Sequence, residues 1–315
     1  MLELDQVSKV YKVGTFGGKE LRAVRNVSFD VKDGEIVSLI GESGSGKSTI
    51  GKMILGLIST SSGAIVFNGV DVSTLKRGAL KEHYRCVQGV FQDPFSCYNP
   101  IFKADRVLKV IRDEFFPEAK DAEWHDKVNG SLEAVGLKPD HVMDRFPHQL
   151  SGGQLQRLLI ARALLLDIKF LVADEIISML DASTRVDVLN LLADLKSRGL
   201  SVLFITHDLS LGYYISEKSV ILYRGCVVEM GSTEKLYRDP LHPYTRMLMA
   251  CVPRLDRKWE QVDAQVELKA RQSELDGGCV YCARCQMAGK DECCAGDKPV
   301  LREVERDHLV ACCKQ

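Results

Sequence analysis

The chain has 315 residues, with 42 lysines and arginines against 43 acids, so no overall field marks it for nucleic acid or an anionic membrane. It contains no run of about 18 apolar residues, which excludes a membrane-spanning helix, and MLELDQVSKV at the N-terminus lacks the basic and apolar blocks of a secretory signal. These features predict a cytoplasmic protein whose eleven cysteines are mostly thiols rather than disulfides.

Residues 2–12 and 21–31 alternate polar and apolar side chains like two strands, with Gly14, Gly17 and Gly18 between them. EIVSLI (35–40) reads as a buried strand, and helically spaced apolar residues follow over 50–58. Between strand and helix lies GESGSGKST (41–49), which fits the phosphate-loop pattern G-x-x-x-x-G-K-[ST]. Gly41, Gly44 and Gly46 let backbone N–H groups turn inward around an anion, and the helix start points at the same place. Lys47 is suited to the β and γ oxygens of ATP and the Ser48 hydroxyl to Mg2+, while Ser43, Ser45 and Thr49 complete the candidate nucleotide loop.

Asn68-Gly69, flanked by 65–67 and 70–72, predicts a hairpin. GVFQDPFSCYNP (89–100) is too rich in turn formers for a long helix. Residues 101–142 read as a mostly helical insertion, and 154–166 as a helix opened by the loop 145–154. A short buried strand, 170–173, ends in Asp174-Glu175; 188–196 is helical, and SVLFIT (201–206) is another buried strand ending at His207. Strands alternating with helices imply a parallel sheet covered on both faces. A β-like stretch over 220–228 and a helical one over 233–252 come next, and rising polarity after Pro253 places a boundary near residue 255.

LSGGQ (150–154) is a second anion-binding candidate, offering a hydroxyl and bare backbone N–H groups at a helix start. With GESGSGKS it resembles the ATP-binding subunits of ATP-binding-cassette (ABC) transporters, over about residues 2–253. The resemblance implies an α/β fold: a P-loop NTPase (RecA-like) cassette with an antiparallel β subdomain and a helical subdomain at about 101–165, in a nucleotide-binding domain of residues 1–255. It implies that Asp174 holds Mg2+ through water, that Glu175 is the general base for the attacking water, and that His207 contacts the γ-phosphate. By the same likeness Gln92 ligates Mg2+ and links the site to the membrane partner, and Tyr11 stacks on adenine. Ser178 to Asp181 match the loop that crosses a cassette dimer, and Ile176 stands where the family often has proline. In the family two cassettes pair head to tail, so Ser151 and Gly153, with Gly152 and Gln154, would serve the nucleotide held by a second chain.

VFQDPFSCYNP, RFPHQLSGGQ and YRDPLHPYTRMLM are similar to the peptide and nickel importer branch of this family. That branch carries a C-terminal extension, here residues 256–315, whose cysteine pattern recurs as Cys279, Cys285, Cys293 or Cys294, and Cys312. Members with the pattern can hold a [4Fe-4S] cluster, for which Cys279, Cys285, Cys294 and Cys312 are the favoured ligands. Independently, the cysteine-dense tail has few large apolar side chains, and a segment that small usually needs disulfides or a metal to hold its shape. C-x2-C-x2-C at Cys279, Cys282 and Cys285 is a competing ferredoxin-like set, and zinc on four thiolates is the alternative metal.

The resemblance implies an ATPase at the cytoplasmic face of the membrane. Its partners would be a second, related cassette, two transmembrane permease subunits and an extracytoplasmic solute-binding protein, with no nucleic acid. The solute, whether peptide, nickel chelate or oligosaccharide, is set by those partners. A soluble cassette ATPase using its cysteines for redox or assembly work is the rival reading.

Overall fold

A computed structural model of the protein describes residues 1–13, 18–251, 278–287 and 299–313. The chain divides into two units, one made of residues 1–31, 36–74 and 204–315 and the other of residues 32–35 and 75–203.

The first unit begins with β1 (Leu2–Val13), β2 (Lys19–Val31), β3 (Ile36–Ile40), α1 (Lys47–Ile54), β4 (Ser62–Phe67) and β5 (Val70–Asp71). One sheet has the order β2-β1-β4-β5 and is antiparallel throughout. Its alternating pattern buries Leu2, Leu4, Val7, Val27 and Phe29. Asn68 and Gly69 take φ of 49° and 80°, the left-handed pair that lets a two-residue turn match the twist of its strands. β3, in contrast, is buried along its whole length, as an interior strand covered on both faces must be.

The second unit contains α2 (Arg77–Cys86), β6 (Val87–Val90), α3 (Arg106–Phe115), α4 (Asp121–Ala134), α5 (Pro139–Val142), α6 (Gly152–Leu164), β7 (Phe170–Asp174) and α7 (Ala182–Ser197). β6 runs parallel to β7, with Val87 opposite Phe170 and Val90 opposite Ala173. The helical insertion takes the form of α3, α4 and α5, and its apolar spacing buries Leu108, Ile111, Val128, Leu132 and Val142. α2 lacked any sequence signal because His83 is its one buried residue. β8 (Ser201–Thr206) then carries the chain back into the first unit.

There follow α8 (Leu209–Ile215), β9 (Lys218–Tyr223), β10 (Cys226–Ser232), α9 (Thr233–Arg238), α10 (Pro243–Ala250), β11 (Arg302–Glu305) and β12 (His308–Val310). Within this unit they extend a second sheet in the order β11-β12-β10-β9-β3, with β9 parallel to β3 and the other pairs antiparallel. The β-like stretch over 220–228 is thus a hairpin, turned by Arg224 and Gly225 at φ 46° and 80°. The helical stretch over 233–252 is two helices: the chain breaks at Asp239 and Pro240, and Pro243 opens α10, where a missing N–H costs nothing.

A buried carboxylate ties the C-terminal strands to this unit. Glu229 of β10, with no exposed surface, accepts from the backbone N–H groups of Leu241 and His242 at 2.8 and 3.0 Å, and its Oε1 lies 2.7 Å from His308 Nε2 of β12. Glu229→Ala strands all three partners, so we expect a loss of about 3–5 kcal/mol, the range for breaking a buried pair, read as a fall in the urea midpoint. His242 is also buried, and its Nδ1 accepts the Tyr244 N–H at 3.1 Å. Burial lowers its pKa from 6.5 to about 4, so the unfolded chain takes up a proton that the folded one refuses. The resulting stability is complete above pH 6.5 and is lost as pH falls toward 4, by up to about 3 kcal/mol. His242→Asn keeps an N-capping acceptor, and pH-dependent unfolding should then flatten across that window.

Candidate nucleotide site

In the first unit β3 delivers the chain into a loop whose shape permits no side chain at its first position. A Cβ on Gly41 would stand 2.2 Å from the Leu222 carbonyl oxygen. Gly46 caps α1 at φ 107°, and a Cβ there would meet the Ala23 carbonyl oxygen at 2.4 Å. Lys47, only 4% exposed, folds back over this turn, its Nζ donating to the carbonyls of Gly41 at 2.7 Å and Glu42 at 2.9 Å. Ser45 Oγ is buried without a hydrogen-bond partner, while Ser43, Gly44 and Ser48 are exposed and Thr49 is half-buried. An orphaned hydroxyl beside a buried ammonium at a helix start fits an anionic ligand, such as the phosphates of ATP with Mg2+. His207 follows the end of β8 and is exposed, and Tyr11 on β1 is half-buried with Lys9 Nζ 5.3 Å from its ring centroid.

In the second unit β7 ends in Asp174, which is 6% exposed, and the next residue, Glu175, holds φ of 50°. That left-handed backbone costs a non-glycine residue on the order of 1 kcal/mol. The turn is held by Ser178, whose Oγ and N–H both donate to the Glu175 carbonyl, at 2.9 and 3.1 Å, and by Ile176, buried at 1% exposure. Gln92 lies exposed just beyond β6.

Ser151 caps α6, its Oγ accepting the Gln154 N–H at 3.2 Å while Gln154 Oε1 accepts the Ser151 N–H at 2.9 Å. The Gln154 amide, a candidate nucleotide contact by sequence, is therefore engaged in capping. Asp181 caps α7 and accepts from Ser183 Oγ at 2.6 Å, Thr184 N at 3.0 Å and Thr184 Oγ1 at 2.8 Å. Those bonds, the Ser183 hydroxyl's first, hold its carboxyl well below the usual carboxylate range. The two caps adjoin, since a Cβ on Gly153 would lie 2.5 Å from Thr184 Cγ2.

Residues 24–178 match the family model described as ABC transporter, and residues 228–293 match the oligopeptide/dipeptide transporter C-terminal region. A Brucella ovis protein provisionally named a peptide import ATP-binding protein is 42% identical over 299 residues, which are 93% of this chain and 92% of that protein. The chain belongs to the ATP-binding proteins of ABC transporters. The oligopeptide transport ATP-binding protein OppF of Haemophilus influenzae is 38% identical, over 93% of this chain and 89% of its own. A solved ATP-binding cassette, dimeric and bound to ADP and Pi after hydrolysis, is 29% identical with a TM-score of 0.66, covering 74% of this chain and 99% of that one. This chain is accordingly an ABC ATPase.

Spacing alone did not reveal the residues that brace the cassette's loops. Arg162 of α6 donates through Nη2 to Gln88 Oε1 and the Gly89 carbonyl, at 3.1 and 3.2 Å, and Tyr98 donates its hydroxyl to the Leu155 carbonyl at 3.1 Å. Burial lowers the Arg162 pKa and raises that of Tyr98. Both looked like ordinary members of a helix and a turn.

Among the described residues no group of three or more His, Cys, Asp or Glu side chains is placed to hold a metal ion. Cys279 and Cys285 pack beside Tyr281, Cys312 is buried with Leu241 and Val310, and Cys293 and Cys294 lie outside the described residues. Cys313 is disulfide-bonded. The C-terminal strands of the extension are held by sheet pairing and by Glu229.

The packing at Gly153 gives a specific expectation. Gly153→Ala should cost about 1–3 kcal/mol through overpacking against Thr184. Thr184→Ser deletes the opposing methyl yet keeps the hydroxyl bond to Asp181, so the double variant should recover most of the loss in urea unfolding.

Proposed function

We propose that the cassette binds Mg·ATP at residues 41–49 and hydrolyses it to drive an importer of peptides. The observation that carries this reading is the buried Lys47 ammonium beside the orphaned Ser45 hydroxyl at the start of α1. Peptide is favoured as the solute because OppF and the Brucella relative are named for peptide transport.

In this reading Lys47 and the loop amides hold the β- and γ-phosphates, Tyr11 packs on the adenine, and Ser48, Gln92 and Asp174 hold Mg2+ directly or through water. When bound, Mg2+ offsets charge developing between the phosphates. Glu175 accepts the proton of the attacking water, its carboxylate aimed by the left-handed turn, and His207 orients toward the γ-phosphate. Ser151, whose hydroxyl proton remains available to donate, and the N–H groups of Gly152 and Gly153 contact nucleotide held by a second cassette. ATP then closes two cassettes together and hydrolysis releases them.

Among the described residues no helix is long and apolar enough to cross a membrane, so translocation falls to two permease subunits at whose cytoplasmic face the cassette pair docks. An extracytoplasmic binding protein delivers the solute. The boundary near residue 255, separating cassette from extension, belongs to the same proposal. A [4Fe-4S] cluster or zinc on Cys279, Cys285, Cys294 and Cys312 rests on the branch's cysteine pattern and the tail's few apolar side chains and enters no step; iron, sulfide and zinc content after anaerobic purification tests it.

Glu175→Gln should bind ATP with affinity close to the wild type yet hydrolyse it about 10²–10⁴-fold more slowly, the usual contribution of a general base. Turnover near wild type would remove Glu175 from that role. In membranes carrying the permease, hydrolysis stimulated by a peptide-loaded binding protein supports import, and failure to associate with any permease counts against it.

A further inference from the structure

Glu42, the second residue of the phosphate loop, is held on three sides within the first unit. Its N–H donates to the Tyr244 hydroxyl at 3.0 Å, and its carbonyl accepts from Lys47 Nζ at 2.9 Å. Its two carboxylate oxygens accept from Arg284 Nη1 at 3.0 and 3.1 Å. Arg284 arrives from 242 residues away, on the short cysteine-bearing turn 278–287.

That turn is firmly seated. Tyr281, 3% exposed, stands edge-on to Tyr223 with ring centroids 5.2 Å apart and lies 5.5 Å from the Tyr244 ring. Its hydroxyl reaches Met247 Sδ at 3.5 Å, and Arg284 Nη2 approaches the same sulfur at 3.7 Å. The Arg284 and Glu42 side chains are 21% and 39% exposed, so the pair is partly withdrawn from solvent and its attraction is less screened than that of a surface pair.

A carboxylate in a loop built for polyphosphate is a liability, because like charges repel across a short, partly desolvated gap. Arg284 neutralises it. The same contact fixes the peptide whose carbonyl supports Lys47, so releasing Glu42 would also loosen the aim of the ammonium. We propose that Arg284 is a positioning residue for the phosphate loop, through which the C-terminal turn sets the cassette's affinity for nucleotide. This deepens the nucleotide reading above and rests on it.

The test compares the full-length wild type with R284M and R284K, measuring ATP affinity, KM, kcat and thermal unfolding at low and high salt. R284M should weaken ATP binding and raise KM about tenfold, equivalent to about 1.4 kcal/mol, with kcat little changed. The loss should shrink in high salt, where repulsion from Glu42 is screened. R284K restores a cation and should recover most of the affinity, and R284Q replaces R284M if the latter fails to fold. A neutral variant that melts like the wild type and binds ATP equally well overturns the proposal, as does an R284K as weak as R284M. If the wild type binds no ATP, the nucleotide reading itself falls, which is a distinct result.

Discussion

The ammonium of Lys47 is buried, and the first unit is arranged to make that tolerable. A buried charge needs oxygen atoms close by, and here they come from the backbone at Gly41 and Glu42. Bringing those carbonyls under one nitrogen requires the chain to double back directly after β3, so tightly that Gly41 can carry no side chain against Leu222. A polyphosphate bound at this turn stabilises the folded loop to the extent that the unfolded chain cannot bind it.

The second unit follows a different rule, in which helix caps set loop geometry. Ser151 with Gln154 starts α6, and Asp181 starts α7. Thr184 belongs to the Asp181 cap through its N–H and hydroxyl, and its methyl fills the space left by Gly153. The LSGGQ turn and the 178–181 segment are therefore one mechanical piece. The glycine that looked reserved for a ligand is needed first for packing.

Local chemistry was legible in the sequence. GESGSGKST between a buried strand and a helix, Asn68-Gly69 between short strands, and the paired acids ending β7 each follow from rules that span a few residues, and each stands where expected. Contacts between distant segments were not legible. Nothing in VYCARC indicates that Arg284 meets Glu42, and nothing in His308 indicates Glu229, because both pairings are decided by how far strands and turns travel in space. Cysteine spacing suggested a metal; in the structure Cys279 and Cys285 pack against one apolar cluster and Cys312 belongs to another. Arg224-Gly225 and Pro240 were punctuation inside runs whose average composition looked uniform, which is why one strand and one helix proved to be two of each.

Without its C-terminal strands the second sheet of the first unit would end at β10, with the N–H and C=O groups of CVVEMGS facing outward. β12 takes up part of that ladder, and β11, whose four residues REVE are all exposed, becomes the rim. A rim of two glutamates and an arginine discourages another chain from adding a strand. The extension therefore acts as a selvedge for the sheet. A truncated chain would carry an open, adhesive flank, and its poor behaviour would report self-association rather than a defect in turnover.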